Sequence, residues 1–215
     1  MRGLIVTGGN IRDDFAREKI KTGGYDMIMA ADSGMDFLYR NHLTPDIIVG
    51  DFDSVDHDSL DFFREDGRIE FCKLNPQKDD TDTEYAIRDA LSRGVLQLTI
   101  LGGTGSRLDH VLGNISLLGI GLENHAEIEL VDEHNRIRMI DKSISIRKDE
   151  QFGRYVSLIP YSATVEHVTL TGFKYPLADY TMGGFNSLGI SNEITDDVAH
   201  IEFRGGILLV IESLD

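Results

Sequence analysis

The chain has no tryptophan, a single cysteine and few basic residues for its size. One cysteine, Cys72, excludes an intrachain disulfide and suits a reducing compartment. With 21 Lys and Arg against 37 Asp and Glu, the formal charge is −16. Such a surface repels phosphate backbones and anionic headgroups, which argues against nucleic-acid and membrane partners. A small phosphorylated ligand stays admissible, because it needs only a few local cations or a metal. No apolar run approaches the roughly 18 residues that a membrane span requires. Met1-Arg2-Gly3-Leu4-Ile5-Val6 reads as the start of a strand and not as a signal peptide, so a cytoplasmic protein is expected. The chain also lacks a Gly-Lys-Ser/Thr P-loop ending, a full Gly-x-Gly-x-x-Gly, a His/Cys cluster with zinc spacing and a Gly-x-Ser-x-Gly elbow.

What the chain does have is 215 residues, 41% of them hydrophobic, enough for one large domain or two small ones with a real core. Apolar runs at 4–6, 26–31, 46–49, 68–74, 98–101 and 126–131 read as strands. They alternate with helical segments at 11–21, 35–41, 56–64 and 81–93, and with a helix after Arg107. Thr81-Asp82-Thr83-Glu84 has the capping-box spacing that starts a helix, and Gly94 ends it. Its inner face is expected to carry Tyr85, Ala86, Ala90 and Leu91. The helix after Arg107 carries Leu108, Val111, Leu112, Ile115, Leu118 and Leu122 at the spacing of a buried stripe. Strands alternating with helices imply parallel βαβ units and a sheet covered on both faces. From about residue 135 the pattern changes to short strands at 136–140, 143–147, 155–159, 164–170, 200–203 and 207–211, separated by Gly, Asn and Asp turns. The expected fold is an α/β N-terminal domain with a mostly parallel sheet, 1–134, followed by an all-β C-terminal sandwich, 135–215.

The acidic and Gly-rich segments all fall just after strands, where ligands bind in open α/β sheets. Run 46–49 opens onto Gly50-Asp51-Phe52-Asp53-Ser54. In extended geometry Asp51 and Asp53 point the same way, and two like charges that close repel unless a cation neutralises them. Magnesium is the simplest remedy, because it takes hard oxygen ligands and leaves room for water and phosphate. The alternative is an acidic turn in which Asp53 or Ser54 caps the next helix. Asp32 ends the second strand, and Lys78-Asp79-Asp80-Thr81-Asp82 sits at a helix start. There Asp80 and Asp82 serve either as helix-end acids favoured by the dipole or as part of a site in which Lys78 reaches a phosphate oxygen. Thr7-Gly8-Gly9-Asn10 and Gly102-Gly103-Thr104-Gly105-Ser106 are turns or, before a helix, nests of backbone amides for an anion. Arg107 either forks onto a phosphate or pairs with Asp109 at the surface. His110 reads as a structural histidine rather than a metal ligand, and Cys72, beside Phe71, as a core residue. Together these describe a nucleotide and magnesium site built on aspartates, suited to phosphoryl or pyrophosphoryl transfer.

These segments, taken in order, resemble the thiamine pyrophosphokinase family. The resemblance rests on Ala31-Asp32-Ser33-Gly34, Gly50-Asp51-Phe52-Asp53-Ser54 and Lys78-Asp79-Asp80-Thr81-Asp82. It continues through Gly102-Gly103, Arg107, Asp109-His110 and Gly113-Asn114 to Gly189-Ile190-Ser191-Asn192-Glu193. It implies ATP-dependent transfer of pyrophosphate to thiamine, giving thiamine diphosphate and AMP, by a homodimer. Carried onto this chain, it makes Asp51, Asp53 and Asp82 the magnesium and catalytic carboxylates. Asp32, Lys78, Thr81, Arg107, Asp109, His110 and Asn114 would serve ATP. Ser187, Ser191 and Asn192 would serve thiamine, although read alone Ser191-Asn192 is an ordinary β-turn. Eukaryotic members place a tryptophan near thiamine; here any stacking falls to Phe or Tyr, with Phe185 or Tyr180 as candidates. Two rival readings use the same acids: a magnesium-dependent phosphohydrolase, and a non-catalytic nucleotide sensor.

Overall fold

The computed structural model describes residues 1–52, 56–74 and 80–215. Asp53, Ser54 and Lys78 therefore lie outside the described residues. The chain divides into two compact units, Met1–Glu133 and His134–Asp215.

The first unit alternates strands and helices: β1 (Arg2–Val6), α1 (Asp13–Thr22), β2 (Met27–Ala31), α2 (Gly34–Arg40), β3 (Ile47–Gly50) and α3 (His57–Glu65). It continues through β4 (Glu70–Lys73), α4 (Asp82–Ser92), β5 (Gln97–Leu101), α5 (Leu108–Leu117), α6 (Gly119–Glu123) and β6 (Glu127–Val131). These strands pair in parallel in the order β6-β5-β1-β2-β3-β4. Central strands buried on both faces need continuous apolar runs, and Leu4, Ile5 and Val6 of β1 are fully buried, as are Met29, Ala30 and Ala31 of β2. The strand order matters more than the strand count. From β1 the sheet grows one way through β4, then α4 carries the chain back over β1, β2 and β3, and growth resumes on the other side with β5. The loops after β1 and β5 thus leave in opposite directions and part at the sheet's carboxyl edge.

The second unit is an antiparallel sandwich. One sheet runs β12 (Asn192–Glu193), β9 (Tyr155–Pro160), β14 (Leu208–Ser213) and β7 (Asn135–Ile140). The other runs β11 (Leu177–Gly183), β10 (Thr164–Thr171), β13 (Val198–Glu202) and β8 (Ile144–Arg147). Val156, Leu158, Leu208 and Val210 from the first sheet meet Val165, Val168, Ala199 and Ile201 from the second in one core. The expected fold class is observed in both units.

Four local expectations are corrected. The helix after Arg107 is broken into α5 and α6, and its stripe is not buried: Leu108 is 72% and Leu112 65% exposed, while Leu118 alone of the six is in the core. On α4 the inward positions are Thr83, Ala86, Ile87 and Ala90, with Tyr85 and Leu91 only half-buried. Cys72 is half-buried at the sheet margin, 3.6 Å from Glu70 Oε1, and burial pushes its thiol pKa up. Strand β11 escaped notice because its residues 178–181 all face solvent and a bulge interrupts its pairing with β10.

One ionic arrangement inside the sandwich fixes strand register. Glu212 on β14 is fully buried. It accepts hydrogen bonds from Arg136 Nε (2.9 Å) and Nη2 (2.7 Å), from Arg138 Nη2 (2.8 Å) and from the Phe152 amide (2.9 Å). Arg136 stands directly opposite Glu212 in the β7–β14 ladder, so a slip in register would leave a buried charge unpaired. Glu212→Ala is expected to lower unfolding free energy by about 3–5 kcal/mol. Urea denaturation measures this, and a loss below about 1 kcal/mol, the range of a solvent-exposed pair, would contradict it.

Candidate active site

A cavity of about 690 Å³ opens in the first unit where the loops after β1 and β5 part. Thr7 to Asn10 come from the end of β1, and Gly102 to Arg107 from the end of β5. The first turn of α4 contributes Thr81 to Glu84, the end of β2 contributes Asp32, and α5 contributes Asp109, His110, Val111, Asn114 and Leu117. Helix α5 forms a wall of the cavity: of its apolar stripe Val111 lines the cavity, while Leu108 and Leu112, outside the lining, are exposed.

The two glycine loops are stitched together by backbone. The Gly9 amide donates to the Gly102 carbonyl, and the Asn10 amide to the Thr104 carbonyl, both at 2.8 Å. Asn114 Nδ2 donates to the Gly103 carbonyl (2.8 Å), and Thr104 Oγ1 donates to Asp132 Oδ2 (2.9 Å). Gly9 has no room for a side chain, because a Cβ there would strike the Gly102 and Thr104 carbonyls. Gly102 adopts φ +76°, a left-handed conformation that favours glycine, with the Thr7 carbonyl where a Cβ would sit. The cradle is therefore fixed before any ligand arrives. Beyond it, the first turn of α5 presents backbone amides, and no side-chain cap closes that end.

The acids come from separate elements. Thr81 Oγ1 accepts from the Glu84 amide (3.2 Å), starting α4 so that Asp82 stands in its first turn, where the helix dipole favours negative charge. Asp82 Oδ2 lies 3.4 Å from the point where a Cβ on Gly50 would stand. The carboxylate thus rests against the strand end that carries Asp51. Asp32, at φ +52°, turns its Oδ2 to within 3.1 Å of the corresponding point on Gly8. Glu84 also lines the cavity, held by Arg88 Nε (3.0 Å) and Nη2 (2.8 Å) one turn along α4.

Of the residues singled out in the sequence, the cavity gathers Asp32, Thr81, Asp82, Arg107, Asp109, His110 and Asn114. Asp51 stands next to Gly50 at its margin, without lining it. Asp53 and Lys78 lie outside the described residues. Thr83 and Glu84 were missed as site residues, because acids and hydroxyls in a helix's first turn are ordinarily read as caps. Arg107 does pair with Asp109, at 2.6 Å between Nη2 and Oδ2, and both also line the cavity.

The residues expected on the thiamine side, Ser187, Ser191 and Asn192, belong to the second unit. The Asn192 side chain is buried and bonded to backbone: Oδ1 accepts from the Tyr175 and Glu193 amides (3.0 Å each), and Nδ2 donates to the Tyr175 carbonyl (2.8 Å). Ser187 and Ser191 are exposed, and Ser191, at φ +59°, donates its amide to Ser157 Oγ (3.0 Å). The Tyr180 and Phe185 rings are exposed.

Magnesium can be tested against this geometry. Among the described residues, no group of three His, Cys, Asp or Glu side chains is close enough to hold a metal by itself. Magnesium needs only one or two carboxylates together with substrate phosphates rather than an all-protein cage. Asp82 beside the Gly50–Asp51 strand end supplies oxygens of that kind, so the residues present fit the ion.

The pairing of Arg107 holds the Asp109 carboxyl well below the usual range, at about 2. A carboxylate lowered in this way supports the fold only while ionised. Its contribution is complete above the ordinary aspartate value of about 4 and fades as pH falls through about 2. A carbon-13 titration of Asp109 should show that low midpoint, and Arg107→Ala should return it to the ordinary range. An unchanged midpoint in the variant would contradict the pairing.

Comparison with known proteins gives one consistent result. The family model for the thiamin pyrophosphokinase catalytic domain matches residues 22–130, and that for the thiamin pyrophosphokinase vitamin B1 binding domain matches residues 141–208. A thiamine pyrophosphokinase of Bacillus subtilis is 37% identical over 219 residues, covering 98% of each chain. Thiamine pyrophosphokinase 2 of Arabidopsis thaliana is 29% identical, over 81% of this chain and 68% of its own. The crystal structure of the Bacillus subtilis thiamine pyrophosphokinase superposes with a TM-score of 0.89 at 34% identity, covering both chains fully.

Proposed function

Since the chain belongs to the thiamine pyrophosphokinase family, we infer that it transfers pyrophosphate from ATP to the hydroxyl of thiamine, giving thiamine diphosphate and AMP. The observation that carries this reading is the single cavity in which two glycine loops face the acids of α4 and β2. The first unit is then the nucleotide-binding catalytic domain, and the second the thiamine-binding and dimerisation domain.

The residues divide the work as follows. The loop Gly102 to Arg107, with the first turn of α5, receives the triphosphate through backbone amides, while Thr7 to Asn10, whose Thr7, Gly9 and Asn10 amides bond the Leu101, Gly102 and Thr104 carbonyls, braces it. Asp32, Thr81, Arg107, Asp109, His110 and Asn114, which line the cavity, are assigned to ATP, and Lys78 to its phosphates. Asp32, Asp82, Glu84 and Asp109 outnumber the cations of the cavity lining. A polyanion enters such a place only with countercharge. Bound magnesium would supply that charge and polarise the transferring phosphoryl group, held by Asp51, Asp53 and Asp82. The thiamine hydroxyl oxygen attacks the β-phosphorus in line. The bond from that phosphorus to the oxygen of AMP breaks, and Asp51 or Asp82 accepts the hydroxyl proton. The negative rim also suits the cationic thiazolium. Ser187, Ser191 and Asn192 are assigned to thiamine, with Tyr180 or Phe185 as its stacking partner.

A cytoplasmic homodimer completes the reading. Exposed Tyr161, Leu188 and Ile190 on the second unit offer apolar surface for association. Among the described residues, no helix is long and apolar enough to cross a membrane. Sedimentation equilibrium should return twice the chain mass; a monomer at micromolar concentration would remove the dimer.

The decisive assay follows AMP from ATP with and without thiamine. AMP formation should require thiamine, and Asp82→Asn should lower kcat at least about a hundredfold, the order seen when a group stabilising transition-state charge is removed, with its melting curve intact. Phosphate release independent of thiamine would favour a hydrolase, and unimpaired turnover in Asp82→Asn would remove that carboxylate from the chemistry.

A further inference from the structure

Two threonines stand at the centre of the site. Thr7 and Thr83 are 5% and 7% exposed, and their hydroxyl oxygens are 2.8 Å apart across 76 residues of sequence. A hydroxyl in a helix's first turn normally bonds its own backbone nearby. Thr83 instead reaches across to the end of β1. Its neighbours Asp82 and Glu84 both line the cavity, so Thr83 holds the acid-bearing turn from its inner side.

Thr7 is tied to the opposite wall. Its amide donates to the Leu101 carbonyl (2.9 Å), and its own carbonyl packs where a side chain on Gly102 would stand. The hydroxyl pair is therefore a direct link between the glycine cradle and the first turn of α4. Valine would fill the same space at either position, and burial alone would favour it. The hydroxyl contact fixes separation and orientation, which volume alone would not.

We propose that the buried Thr7–Thr83 hydroxyl pair is a positioning device that sets the distance between the phosphate cradle and the Asp82 carboxylate. Neither threonine needs to touch a reacting atom for this role. The proposal rests on the pyrophosphate-transfer reading for its kinetic arm and on the geometry alone for its binding arm.

The test compares Thr83→Val, Thr83→Ser and the Thr7→Val/Thr83→Val double variant. In Thr83→Val the Thr7 hydroxyl is left buried without its partner. Misplacement of about an ångström is enough to cost large factors in rate, so kcat should fall roughly tenfold or more. Affinity for a non-hydrolysable ATP analogue, measured by calorimetry with magnesium, should fall by a similar factor, while KM for thiamine stays within about twofold, because only transition-state and nucleotide interactions are disturbed. Thr83→Ser should restore both quantities. The double variant removes both hydroxyls, so its melting temperature should recover most of what Thr83→Val loses, while kcat and analogue affinity stay low. Recovery of kcat together with stability would make the pair structural only and overturn the proposal. Normal analogue affinity in Thr83→Val would overturn it as well. Wild-type protein that binds the analogue yet forms no AMP from thiamine would remove the functional reading alone, and the pair would then be judged on affinity.

Discussion

Negative charge crowded against a polyanion's binding place is the constraint on which the rest of this structure depends. Asp32, Asp82, Glu84 and Asp109 line one cavity to which Arg107, already paired with Asp109, brings positive charge. Side-chain charge by itself would turn a triphosphate away. Beside the proposed Lys78, what receives it is uncharged donors and an added cation. Backbone amides held in fixed loops supply the first. Carboxylates set beside a strand end fit the second. The strand reversal between β1 and β5 brings the two together, since it alone lets the two glycine loops lie side by side above the sheet.

Precision in such a site comes from backbone packing more than from ion pairs. Gly9 and Gly102 permit main-chain contacts that any side chain would block, and Asn114 secures the loop that precedes its own helix. Helix α4 is fixed at its start by Thr81 and from within by Thr83. Its packing across β1, β2 and β3 gives that start a rigid base.

The fold class was legible because its signals are local. Apolar runs such as Leu4-Ile5-Val6 and Leu98-Thr99-Ile100-Leu101 mark buried parallel strands, and Gly, Asn and Asp turns mark the sandwich. The site was legible to the extent that its residues follow strands or start helices. Asp32, Asp82 and Arg107 do, and the cavity gathers them. The failures share a cause. Periodicity reports that a helix face is apolar, not what that face meets, so the stripe of α5 was read as core when much of it borders cavity or solvent. Likewise Thr83 looks like a cap, and only the third dimension shows its partner 76 residues away. Asn192, expected on the thiamine side, has its side chain hydrogen-bonded to the backbone of Tyr175 and Glu193.

The most direct test of the account is a crystal structure of the protein with thiamine, magnesium and a non-hydrolysable ATP analogue. The account predicts triphosphate density in the cavity lined by the Gly102 to Arg107 loop and the Thr81 to Glu84 turn, with an ion joining it to the Asp82 carboxylate. A nucleotide bound elsewhere, with that cavity holding only solvent, would contradict it.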